Sequence, residues 1–167
     1  AVRLVPDVIG GFSAETAGKV FSKVFQEIRS ADQSDAGQKL VAAIEVHAES
    51  DLLQAQATGF RVRLYALRED WPGLLKYVRK VGPTLDGPRL ARLIGRSANA
   101  AATAGAYETA DAIARYGLEH APDGSVARRV AAHQWVQAAA QAGRTDEVSK
   151  RIVQLSRGRV ADATMVA

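Results

Sequence analysis

Cysteine is absent from the 167 residues, methionine occurs once, and aromatic residues make up only 6%. Without cysteine the chain has no disulfide, no thiolate metal site and no cysteine nucleophile, while cytoplasm, periplasm and secretion remain equally compatible. No apolar run approaches the roughly 18 residues that would suggest a membrane span. What is present is apolar and small: 47% of residues are hydrophobic, and alanine supplies much of that share. Alanine is the best helix former and lets helices approach closely, so the composition predicts a tightly packed, all-helical protein.

The signatures of several enzyme classes are missing as well. There is no His-Glu-x-x-His, no Gly-x-Ser-x-Gly and no Walker loop. The run from Gly95 through Ser97 ends at Asn99, where a nucleophile elbow needs glycine, and Gly10-Gly11 lacks a third glycine and a following strand. Glu45 and Glu49 lie one turn apart and read as a solvated pair, with no buried partner to split their pKa values. His47 has Glu45, Glu49 and Asp51 close in sequence, but helical residues two apart do not share a face. It falls instead on the apolar stripe of Leu40 and Ile44, which predicts a packed histidine. His120, beside Pro122, is expected to complement the carbonyl end of its helix. No catalytic residue, metal or cofactor is expected.

Punctuation divides the chain into helices. Residues 1–11 read as an extended lead-in, broken by Pro6 and Gly10-Gly11. Ser13 is an N-cap for a helix that carries Val20, Phe21, Val24, Phe25 and Ile28 on one face and ends near Ser30. A second helix follows the polar turn at 32–35. A long third runs from Asp51 to about Arg68 on Leu52, Leu53, Phe60, Leu64 and Leu67. Trp71-Pro72 and Pro88 open two more, since proline suits a first turn where its missing N–H costs nothing. Gly82-Pro83 stops the first of these. Further helices are broken at Gly105, at Pro122 to Ser125 and at Gly143, with the last ending around Gly158. The stretch 159–167 has no cap or periodicity and reads as a flexible tail. Ala1, with no Met before it, suggests either a removed leader or a piece of a longer protein, with the second favoured.

Gly105, Tyr107 and Ala110, then Gly117 and Pro122, have the spacing of a tetratricopeptide repeat, and the unit at 91–124 resembles that family most clearly. Leu40, Leu74 and Val148 take the place of Ala110 in three flanking units, at intervals of 34, 36 and 38 residues, against about 34 in the family. The resemblance, over 20–158, implies a right-handed superhelix of about four helix pairs spanning 12–158. A helical bundle or HEAT-like array is the alternative. The family binds partners on the concave side of each pair's first helix. Carried over by register, that side holds Gln56, Gly59 and Arg63, then Arg92, Gly95, Asn99 and Thr103, then His133, Gln137 and Gln141. Arginine forks suit carboxylates and asparagine suits a peptide backbone. The resemblance thus implies a protein or peptide partner, acidic or ending in a free carboxylate, with Arg63, Arg92 and Asn99 as a clamp.

Charge supplies the rival reading. The net charge is +4, but residues 57–96 carry nine basic against three acidic side chains, and residues 1–56 five against eight. Lys76, Arg79 and Lys80, with Tyr77 and Trp71 nearby, combine phosphate-binding charge with stacking rings, so a nucleic-acid-binding helical domain is the second reading. A third places an active site in a part of the protein outside this chain.

Overall fold

Polar caps and left-handed turn residues mark the ends of most helices. The computed structural model describes residues 2–31, 33–150 and 153. Eight α-helices run over Val5–Gly11 (α1), Ala14–Ser30 (α2), Ser34–His47 (α3), Asp51–Leu67 (α4), Trp71–Val81 (α5), Gly87–Thr103 (α6), Tyr107–His120 (α7) and Val126–Gln141 (α8). Residues 145–150 are also helical. No strand occurs among the described residues, and the fold is all-α. Ser13, Ser50, Asp70, Asp86 and Ser125 each accept a backbone N–H of the first turn that follows. Each such cap satisfies an orphan donor and stabilises its helix by about 1 kcal/mol.

One backbone feature recurs. Glu69, Gly105 and Gly143 adopt left-handed conformations, with φ of 52°, 79° and 75°. Each ends the tight turn after a long helix, and their spacing matches that of Leu74, Ala110 and Val148. Glycine takes this conformation freely, whereas Glu69 does so against a penalty of about 1–2 kcal/mol.

The long helices α2, α4, α6 and α8 pack each on the next. The helices between them, α3, α5 and α7, pack on the long helix before and the long helix after. Two main cores follow from this alternation. Phe21, Phe25, Leu40, Ile44, Phe60 and Leu64 belong to the first, where the Phe25 and Phe60 rings stack 4.6 Å apart. Val62, Leu74, Val78, Leu93, Ile94 and Ile113 belong to the second. α4 feeds both, so the cores are consecutive layers joined through it.

Several expectations are corrected. Residues 2–11 are helical and not extended, with a 3-10 turn at Val2–Leu4 before α1. Pro6 falls in the first turn of α1, where it does no harm, and Val5, buried to 1% exposure, anchors the segment with Val8 and Ile9 against the first core. His47 is exposed, because Ala48 takes the buried place after Ile44. Leu52 and Leu67 are also exposed, Leu53 and Leu64 being the core-facing leucines of α4. The expected end near Gly158 and the tail 159–167 lie outside the described residues. His120 does cap its helix: Nδ1 donates to the Tyr116 carbonyl at 2.9 Å, and its ring stacks on Tyr116.

Gly117 sits at a close crossing. A Cβ there would stand 2.6 Å from Ile94 Cδ1 on α6 and 2.7 Å from Ala131 Cβ on α8. Gly117→Leu should therefore overpack the second core and destabilise the protein by about 1–3 kcal/mol. A fall in the denaturant midpoint at constant slope checks this; an unchanged midpoint would refute the close crossing.

Candidate functional site

Side chains of the long helices lie over glycines of the helix before. A Cβ on Gly18 of α2 would clash with the Gln56 amide of α4, and one on Gly59 of α4 would lie 2.5 Å from Arg96 Nη1 of α6. One on Gly95 of α6 would lie 3.2 Å from Val130 Cγ1 of α8. At each step a side chain of one helix lies against a glycine of the helix before it, a long polar one at the first two steps and Val130 at the third. At the middle step that side chain is an arginine, and a charged site results.

Arg96 crosses Gly59 and donates from Nη1 to the Ala55 carbonyl at 2.8 Å. A cleft of about 420 Å³ opens beside it, lined by Ser22 of α2, Gln56, Gly59, Phe60 and Arg63 of α4, and Asn99 and Ala100 of α6. Arg92, one turn before Arg96, lines an adjoining recess that Arg96 shares. Burial lowers the pKa of Arg96, and the positive charges of Arg63 and Arg92 lower it further. Arg61, Arg68 and Arg89 are held by Glu45, Asp35 and Asp51. No carboxylate pairs with Arg63, Arg92 or Arg96 among the described residues. Three guanidinium groups without a counter-charge give this surface a positive field that an anion would relieve.

Of the residues chosen from register, Gln56, Gly59, Arg63 and Asn99 come together in one cleft, with Arg92 next to it. Gln56 is half-buried, and its Oε1 is enclosed with no hydrogen-bond partner. Gly95 faces α8 instead. Thr103, His133, Gln137 and Gln141 do not line this cleft. Thr103, His133 and Gln141 are exposed, and Gln137 is half-buried. Repeat register does not select Arg96, although its i,i+4 spacing from Arg92 puts both on one helical face.

The basic cluster of α5 divides between two other clefts. Lys76, Tyr77 and Lys80 line one of about 700 Å³ with Glu45, Gln54, Thr58, Arg61 and Tyr65. Arg79 lines another with Asp111, Arg115 and His120, while Trp71 packs against the core. In the larger cleft Arg61 and Glu45 make two hydrogen bonds, of 2.5 and 3.3 Å. Burial alone would lower the pKa of Arg61, but the hydrogen bond and charge of Glu45 raise it overall. The Tyr77 phenol is pushed up to about 12 by burial and then by the Glu45 charge.

Among the described residues, no group of three or more His, Asp or Glu side chains is placed to hold a metal, and no helix is long and apolar enough to cross a membrane. The Tyr77 shift generates a pH prediction. Its folded pKa lies above the ordinary 10.0, so its contribution to stability is complete below pH 10 and is lost as pH rises towards 12. Burial raises Tyr116 as well, so Tyr77→Phe should reduce, without abolishing, the late component of the tyrosinate absorbance titration; a late component unchanged by that substitution would contradict the burial argument. No family model matches the chain, and neither a curated protein nor a solved structure matches it.

Proposed function

We propose that this chain is a protein-interaction module: a tetratricopeptide-like superhelix of helix pairs that holds an acidic segment or chain terminus along its first helices. The observation that carries the reading is the gathering of Arg63, Arg92 and Arg96, with Asn99, on α4 and α6 without a carboxylate to neutralise them. The recurring left-handed turns and the neighbour-to-neighbour packing support the repeat architecture. A surface formed before its partner arrives needs little reordering, so a few charge-assisted bonds give useful affinity. Asn99 offers both a donor and an acceptor for an extended backbone, and Phe60 and Ala100 give the cleft an apolar wall.

The segment 57–96 is less suited to act as one continuous phosphate-binding face, because Arg61, Arg68 and Arg89 are occupied by carboxylates from α3 and α4. The test is the double change Arg63→Glu and Arg92→Glu, read by fluorescence anisotropy of an acidic peptide with a free C-terminus. Binding should weaken by about tenfold or more while circular dichroism is unchanged, since the two side chains are exposed. Amidating the peptide then separates recognition of the terminus from recognition of acidic side chains. Binding as tight as that of the unaltered protein would overturn the proposal.

A further inference from the structure

The alternation of helices leaves a gap that the peptide reading does not use. α5 packs on α7, its counterpart in the next pair, but α3 and α5 stand apart with the 700 Å³ cleft between them. Its floor is one face of α4, with Gln54, Thr58, Arg61 and Tyr65 at helical spacing. Glu45 forms one wall, and Lys76, Tyr77 and Lys80 form the other. Tyr65, Tyr77, Val81 and Leu85 add apolar surface to this polar lining, so the gap combines an apolar wall with charge. The volume is that of a small-molecule site.

The groups that remain available define the ligand. Both carboxylates in the cleft are already engaged: Glu45 holds Arg61, and Asp70 Oδ1 accepts the Gly73 N–H at 2.9 Å, capping α5. Lys76 and Lys80, one turn apart, have no carboxylate partner among the described residues, and both are exposed at the rim. Their ammonium groups are the charge left for an anion. Tyr65 and Tyr77, with ring centroids 5.8 Å apart and planes tilted by 38°, form a half-buried aromatic wall next to them. An aromatic wall beside two lysines matches a planar ring joined to a phosphate. Because Asp70 occupies the N-terminus of α5, the lysines and not the helix dipole supply the phosphate contacts.

The geometry points to a mononucleotide site between α3 and α5, in which Tyr65 and Tyr77 pack against the base and Lys76 and Lys80 hold the phosphate. Calorimetric titration of the full chain with AMP, ribose 5-phosphate, adenosine and an oligodeoxyadenylate tests it. AMP should bind with a Kd below about 1 mM, and ribose 5-phosphate and adenosine about tenfold more weakly or worse, each lacking half of the recognition. The double change Lys76→Ala and Lys80→Ala should weaken AMP binding about tenfold with unchanged circular dichroism. Arg79→Ala, in the neighbouring cleft, should leave it intact. Arg63→Glu alone, in the peptide cleft and not in this one, should also leave it intact, so failure of the peptide reading and failure of this one are distinguishable. No AMP binding, ribose 5-phosphate binding as well as AMP, indifference to the lysine change, or much tighter binding of the oligonucleotide than of AMP would each overturn the proposal.

Discussion

Close contact between successive long helices is the constraint from which the rest of the molecule follows. Gly18, Gly59 and Gly95 leave open places on α2, α4 and α6, and the side chains of Gln56, Arg96 and Val130 from the next long helix lie over them. Glycine within a helix is unfavourable by about 1 kcal/mol relative to alanine, so its use at these crossings has to be offset by the packing it permits. At the middle crossing the same notch fixes a charge. Arg96 reaches the Ala55 carbonyl across the open face of Gly59, within the fields of Arg63 and Arg92. Packing and candidate site are one feature.

The segregation of charge along the chain is largely resolved in three dimensions. Acidic residues of the first third meet arginines of the middle third across helix boundaries: Asp35 with Arg68, Glu45 with Arg61, Asp51 with Arg89. Partly exposed pairs of this kind stabilise a protein by only about 0–1 kcal/mol each. Their larger effect is on the field: they neutralise one set of arginines and leave Arg63, Arg92 and Arg96 as a local excess. A net charge of +4 conceals this arrangement, since it depends on which helices face each other.

Helix identity and boundaries were legible because their causes are local. Ser13 caps, Pro72 and Pro88 start, and Gly105 and Gly143 turn, whatever packs around them. Gly117 was legible as a crossing because glycine has little other reason to occupy a mid-helix position. Facing was less legible. His47 against Ala48, and Leu52 against Leu53, are decided by one step of helical rotation set by the neighbouring helix. Residues 2–11 read as extended because Pro6 and Gly10-Gly11 dominate so short a stretch, whereas Val5, Val8 and Ile9 find a core that lies elsewhere in the sequence. Register selected Gln56, Gly59, Arg63 and Asn99 for one surface, but passed over Arg96, whose place depends on a glycine of the preceding pair.

The central claim is that Arg63, Arg92 and Arg96 act as one anion-binding group. The most direct measurement follows the guanidinium Nε–Hε resonances of the arginines by NMR while the acidic peptide is added. The account predicts saturable shifts at Arg63, Arg92 and Arg96, together with the Asn99 side-chain amide, and little change at Arg61, Arg68 and Arg89, which are already paired. Shifts spread evenly over all arginines, or confined to Arg79 of α5, would contradict it.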